Sequence, residues 1–147
     1  MIGVAEGLPE TVVVDTSAVL DLLIDPSAAG QAVAERLRGR DLVAPDLMFA
    51  EAANVLRTLR LRGLLSDAEA SMAYAELLEL PIDAWPFESV EHRVWQLRGG
   101  MSASDAAFVA LAELLTAPLV TSDGRLARAV EALPASRTRR LEVVDAR

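Results

Sequence analysis

Thr11-Val12-Val13-Val14-Asp15 is a run of β-branched residues that ends on a single carboxylate. A strand exposed on one face alternates apolar and polar residues, and this one does not. The run therefore reads as a strand buried on both faces, as in a parallel sheet covered by helices. In open parallel sheets ligands sit beyond the carboxyl ends of the strands. Asp15 occupies such an end.

Outward from that strand, the periodicity alternates helix and strand. Thr16 to Ile24 predicts a helix. Pro26 to Gly39 predicts a second, with Pro in its first turn and Gly as its stop. Leu42 to Ala44 predicts a strand closed by Pro45. Asp46 is placed to cap a long helix to about Arg62, ended by Gly63. Ser66 and Glu69 form a capping box for a helix to about Leu78. Further on, Ile82 to Trp85 predicts a strand, Glu88 to Arg98 a helix, and Ser102 to Thr116 a helix opened by a box of Ser102 and Asp105. Pro118 to Thr121, Gly124 to Ala132 capped by Asp123, and Leu141 to Val144 predict strand, helix and strand. This alternation implies an α/β sandwich with a mainly parallel sheet. The 147 residues fit a single domain, and Met1 to Glu10 reads as a loose N-terminal stretch.

Composition narrows the chemistry. There is no Cys and one His, His92, which excludes disulfides and thiolate metal sites and disfavours a Ser-His-Asp triad. All 14 basic residues are Arg, so Lys-dependent chemistry is excluded. Hydrophobic residues make up 52% and charged ones 24%, a globular balance. No basic start with an apolar run opens the chain, and no apolar stretch is long enough for a membrane span, so the expected location is the cytoplasm, with no membrane partner. The net charge of −8 argues against simple non-specific nucleic-acid binding. An acidic nuclease remains open if its carboxylates hold divalent cations.

Four carboxylates stand out by position. Asp15 and Asp123 each follow a strand. Asp105 lies near a helix start, on the side of Phe108, Leu111, Ala112 and Leu115. Glu51 flanks the apolar stripe Met48, Ala52, Val55 and Leu59, with Asn54 on its own face. Each has an ordinary reading too: Asp123 as an N-cap, Asp105 as a capping-box partner, Glu51 as a solvated charge. If the four converge, mutual repulsion calls for a cation. A donor set of oxygens without Cys or His suits Mg2+ or Mn2+, and phosphodiester hydrolysis is the natural reaction.

The local sequences sharpen this reading. Val12-Val13-Val14-Asp15-Thr16-Ser17 resembles the opening of PIN domains. Phe49-Ala50-Glu51-Ala52-Ala53-Asn54-Val55-Leu56, Ser104-Asp105-Ala106-Ala107-Phe108 and Pro118-Leu119-Val120-Thr121-Ser122-Asp123-Gly124-Arg125 resemble their second, third and fourth acidic motifs, in order and at matching spacing. The subfamily the chain is most similar to is the VapC toxins. The resemblance implies a PIN-like three-layer α/β/α sandwich with about five strands. It also implies an endoribonuclease with Mg2+ or Mn2+ held directly by Asp15 and Asp105, with Glu51 and Asp123 completing the cluster, some through water. A homodimer, a VapB-type antitoxin and an RNA substrate of the tRNA or rRNA class are implied as well.

Two departures accompany the match. About ten residues precede the first strand, read as an extension or an upstream start. Basic residues are also few, and Arg57/Arg60/Arg62 and Arg137/Arg139/Arg140 stand as either phosphate contacts or solvated charges. Two other functions compete. A PIN-like module kept for protein interaction would lack at least one acid. An aspartate-dependent phosphatase using Asp15 would carry a second Asp where Ser17 stands. His92 reads as a surface residue, Trp85 and Trp95 as core or interface anchors, and Ser17 and Thr121 as hydroxyls serving carboxylates or the backbone.

Overall fold

In the computed structural model of the chain, residues 7–134 and 141–144 are described. The Val run forms strand β1 (Thr11–Val14), and Val12, Val13 and Val14 are fully buried. β1 lies at the centre of a five-stranded sheet with β2 (Asp41–Pro45), β3 (Ile82–Trp85), β4 (Leu119–Thr121) and β5 (Leu141–Val143), in the order β3-β2-β1-β4-β5. Every pairing is parallel, with Val13 in register with Val43 on one side and Leu119 on the other. Parallel pairing demands crossovers, and the helices provide them.

From β1 the chain builds outward through β2 to β3, then returns across the sheet to place β4 on the other side of β1. The topological switch point therefore lies between the carboxyl ends of β1 and β4, where a parallel sheet opens a crevice. Right-handed crossovers in opposite directions put helices on both faces. The first group is α1 (Thr16–Ile24), α2 (Ala28–Leu37), α3 (Leu47–Leu61) and α4 (Asp67–Glu79), which pack among themselves. The second is α5 (Glu91–Gln96), α6 (Ala103–Leu115) and α7 (Gly124–Glu131). In this group α6 lies against β1, β2 and β4, and α7 lies against β4 and β5. Every residue from Ala106 to Ala112 in α6 is buried, which makes it the central helix of its layer. With few aromatics available, Val, Ala and Leu fill the core around Phe108 and Met48.

Local departures from the sequence expectations have physical causes. α2 is capped by Ser27, whose hydroxyl accepts the Ala29 amide at 3.4 Å, so Pro26 lies before the helix instead of in its first turn. Asp46 makes no side-chain cap. Its backbone is already helical and its amide donates to the Trp85 carbonyl at 2.8 Å, which leaves it part of the sheet edge. The buried line of α3 is Met48, Ala52 and Leu56, at spacing of four, and Val55 turns to solvent. The helix expected from Glu88 to Arg98 divides into a 3-10 turn at Phe87–Ser89 and α5, because buried Val90 adopts φ −128°, outside the helical region. The capping box of Ser66 and Glu69 forms as read. Glu10 is joined to β2: its carbonyl accepts the Asp41 amide at 3.0 Å and its carboxylate accepts Arg40 at 2.8 Å.

The turn between α1 and α2 depends on Gly30. A Cβ there would sit 1.8 Å from the Asp25 carbonyl oxygen and 2.8 Å from that of Asp21. Both are backbone atoms that cannot move aside. Gly30→Ala is expected to destabilise the protein by about 2–3 kcal/mol. Urea unfolding checks this, and an unchanged midpoint would contradict the close approach.

Candidate active site at the carboxyl edge of the sheet

Asp15 begins α1 in an extended conformation but does not cap it. Its carboxylate turns across the switch point. Oδ2 accepts the Ser17 hydroxyl at 2.7 Å and the Thr121 hydroxyl at 2.9 Å. The backbone of Asp15 joins the same seam, donating to the Val120 carbonyl at 2.9 Å. Asp15 is only 5% exposed. Burial pushes its pKa up from 3.8, the hydroxyls and the Thr16 amide oppose that, and the nearby Asp105 carboxylate adds to it. Ser17 and Thr121 thus serve the carboxylate. Both also brace the loop after β4: the Ser122 amide donates to Ser17 Oγ at 3.1 Å and the Asp123 amide to Thr121 Oγ1 at 2.9 Å.

Glu51 approaches from α3. Its Oε1 accepts the Thr16 hydroxyl at 3.3 Å, and its Oε2 accepts the Ser104 hydroxyl from the start of α6. It is half-buried, so the solvated-rim reading does not hold. Asn54 is exposed and does not join it.

Asp105 forms only half of the expected capping box. Its amide donates to Ser102 Oγ at 3.2 Å, but its side chain turns away from the cap and accepts Arg125 Nη1 at 2.8 Å. Asp123 takes its N-cap reading and has a second contact. Oδ1 caps α7 by accepting the Arg125 and Leu126 amides at 2.9 and 3.3 Å, while Oδ2 accepts Arg125 Nη2 at 3.1 Å.

These contacts close into a circuit. Asp15 adjoins Thr16, which reaches Glu51. Ser104 links Glu51 to the start of α6 beside Asp105, Arg125 links Asp105 to Asp123, and Thr121 returns to Asp15. All four carboxylates border one crevice. They do not form a preassembled cage: among the described residues no three acids lie close enough together to hold a metal as they stand. Hydroxyls and Arg125 occupy the spaces between them. The donor set is nonetheless carboxylate and hydroxyl oxygen throughout, which fits a hard divalent cation.

Arg125, Ser104 and Thr16 fall within the quoted motifs, but carry no role in the sequence reading. Arg125 did leave a signal. A cation in the first turn of a helix opposes the helix dipole, and Arg125 is held there by Asp105 of α6 and the N-cap Asp123. The other residues singled out from the sequence lie as follows. His92 is almost fully exposed beside Glu91, and Trp95 is exposed with the Arg98 guanidinium 4.6 Å from its ring centre. Trp85 packs against the core. Arg57, Arg60 and Arg62 lie exposed on or just after α3, and Arg60 pairs with Asp67 at 3.3 Å. Arg137, Arg139 and Arg140 lie outside the described residues.

Among the described residues, Ser122 Oγ is the one buried side-chain oxygen without a hydrogen-bond partner. Ser122→Ala removes that unmet group and is expected to raise stability by about 1 kcal/mol. A melting temperature lower than that of the wild type would contradict this.

A parallel five-stranded sheet covered on both faces, with carboxylates from β1, α3, α6 and the β4–α7 turn at its switch point, defines an α/β domain built around an acidic crevice. The PIN-domain family model matches residues 12–132, and the chain belongs to the PIN-domain family. It is 41% identical over 117 residues to Ribonuclease VapC12 of Mycobacterium tuberculosis, covering 80% of this chain and 90% of that relative. Its fold is similar to the crystal structure of VapBC2 from Rickettsia felis bound to a promoter DNA fragment, with TM-score 0.64 and 14% identity over 92% of this chain and 99% of that one. It is similar as well to Mycobacterium tuberculosis VapC20, a sarcin-ricin loop cleaving toxin, with TM-score 0.61 and 19% identity over 80% and 94%.

Proposed function

We propose that the chain is a single-domain, cytoplasmic endoribonuclease toxin. It hydrolyses phosphodiester bonds in RNA of the tRNA or rRNA class and is neutralised by a VapB-type antitoxin. The observation that carries this reading is the closed circuit of Asp15, Glu51, Asp105 and Asp123 at the sheet's switch point. The relatives' names, Ribonuclease VapC12 and Ribonuclease VapC9, support the activity. The non-catalytic alternative expects a lost acid, and all four are present in the sequence. Among the described residues no helix is long and apolar enough to cross a membrane.

Mg2+ or Mn2+ is the cofactor of this reading, with Asp15 and Asp105 as direct ligands and Glu51 and Asp123 acting through water. Such an ion supplies an acidified water and neutralises charge on the phosphoryl group. The chain's own residues do the positioning. Ser17 and Thr121 fix the Asp15 carboxylate by both hydroxyl bonds on Oδ2. Thr16 and Ser104 fix Glu51 between α1 and α6. The capped start of α7 fixes Asp123.

For the antitoxin, α3 and α4 present a groove of about 580 Å³ lined by Ala53, Leu56, Arg57, Ala70 and Tyr74. Leu61 and Leu78, at the ends of these two helices, are exposed as well. An amphipathic helix with anchors at i, i+3, i+4 and i+7 fits such a groove. The toxin acts as a homodimer in this reading.

Expression without the antitoxin is expected to arrest growth. Asp15→Ala, Glu51→Ala, Asp105→Ala and Asp123→Ala each relieve the arrest, while the surface control Glu76→Ala stays toxic. Undiminished toxicity in all four variants would move the activity away from this site.

A further inference from the structure

The acidic crevice carries its own cation. Arg125 spans two of the four carboxylates, with Nη1 on Asp105 and Nη2 on Asp123 at 2.8 and 3.1 Å. These carboxylates come from different elements, α6 and the turn before α7, and the guanidinium is their shared contact. The Asp105 side chain is 14% exposed, but Arg125 is 64% exposed. The guanidinium therefore lies over the crevice from outside and can leave without opening the core. The helix it belongs to does not favour its position, since a positive charge in the first turn of α7 opposes the dipole. The two acids hold it there, and they in turn raise its pKa, Asp105 foremost.

We propose that Arg125 is a tethered counter-cation that bridges Asp105 and Asp123 in the metal-free protein and competes with the divalent cation for them. This rests on the metal-dependent reading of the site. Two consequences follow from the geometry. Without metal, Arg125 relieves repulsion among Asp15, Asp105 and Asp123, so the empty crevice can persist in a folded chain. On metal binding, the ion must displace the guanidinium from Asp105, so Arg125 weakens the affinity that the carboxylates alone would give. The protein then loads at higher metal concentration than its four acids suggest. A purely structural role predicts the reverse, since loss of a bracing contact would loosen the ligands and weaken binding.

The test is calorimetric titration of the full chain with MnCl2, comparing wild type, Arg125→Gln and Arg125→Lys, with melting temperatures recorded in parallel in EDTA. A unit charge a few ångströms from the ion is worth about 1–2 kcal/mol when well screened, so Arg125→Gln is expected to bind Mn2+ roughly tenfold more tightly. Its metal-free melting temperature falls, and saturating Mn2+ restores it. Arg125→Lys keeps the charge but cannot fork across both carboxylates, and its affinity lies between the two. Affinity in Arg125→Gln equal to or weaker than wild type overturns the inference while leaving the metal reading in place. Absence of Mn2+ binding in all three proteins overturns both.

Discussion

Asp15→Ala is expected to lower RNA cleavage in vitro by roughly three orders of magnitude, about 4 kcal/mol of transition-state stabilisation. Asp15 is the most buried of the four acids and the one whose orientation is fixed by two hydroxyls across the β1–β4 seam. In the proposed reading, loss of its charge removes the group that would position a cation and its water. Asp105→Ala follows closely, with Glu51→Ala and Asp123→Ala retaining more activity if they act through water. Stability moves the other way. Because burial raises the Asp15 pKa above 3.8, the folded chain binds this proton more tightly than the unfolded chain. Its contribution to stability is full below 3.8 and is lost as the pH rises through the raised value. Asp15→Asn removes that loss. In metal-free buffer it should melt above the wild type at pH 7, by a few degrees for each kcal/mol recovered, with the difference vanishing in acid. Melting curves from pH 3 to 8 check this, and an Asn variant no more stable than wild type at pH 7 would contradict it.

Arg40→Ala is expected to destabilise the fold by about 3 kcal/mol. Glu142 on the edge strand β5 is only 7% exposed, and Arg40 donates to both of its oxygens at 3.1 and 2.8 Å. Arg40 also holds Glu10 at 2.8 Å, and Arg36 adds a contact to Glu142 at 3.0 Å. The network ties the end of α2 and the start of β2 to the far edge of the sheet, away from the acidic crevice. Removing Arg40 leaves a buried carboxylate with less than its share of positive charge. Replacing both partners with apolar residues, as in Arg40→Met with Glu142→Leu, should recover most of the loss. Urea unfolding of the single and double variants separates the pair's contribution from simple packing. A single variant as stable as wild type would contradict this account of Arg40.

The central strand was legible because burial on both faces leaves a short unbroken β-branched run. Three consecutive Val residues before an Asp have few alternative readings, and the same logic placed Asp123 after β4. Helix boundaries were less legible where two residues competed for one role. Pro26 and Ser27 both suit the start of α2, and the hydroxyl decides. Val55 and Leu56 both suit the apolar face of α3, and packing against its neighbours favours Leu56. The capping box at Ser102 and Asp105 has the right spacing, but a carboxylate at that position can turn to a stronger partner. Arg125, separated from it by 20 residues in sequence, is that partner. Contacts such as Glu51 with Ser104 arise only once α3 and α6 meet at the same edge of the sheet. The four acids and the Ser17 and Thr121 hydroxyls were therefore visible one by one, while the roles of Thr16, Ser104 and Arg125 were not.

The most direct measurement of the central claim is a map of RNA 5′ ends in cells after brief induction of the wild-type chain and of Asp15→Ala at matched protein levels. The proposed activity predicts new ends at a few defined positions in tRNA or rRNA with the wild type, and none with Asp15→Ala. The same new ends in both strains, or growth arrest by the wild type with no new ends, would contradict it.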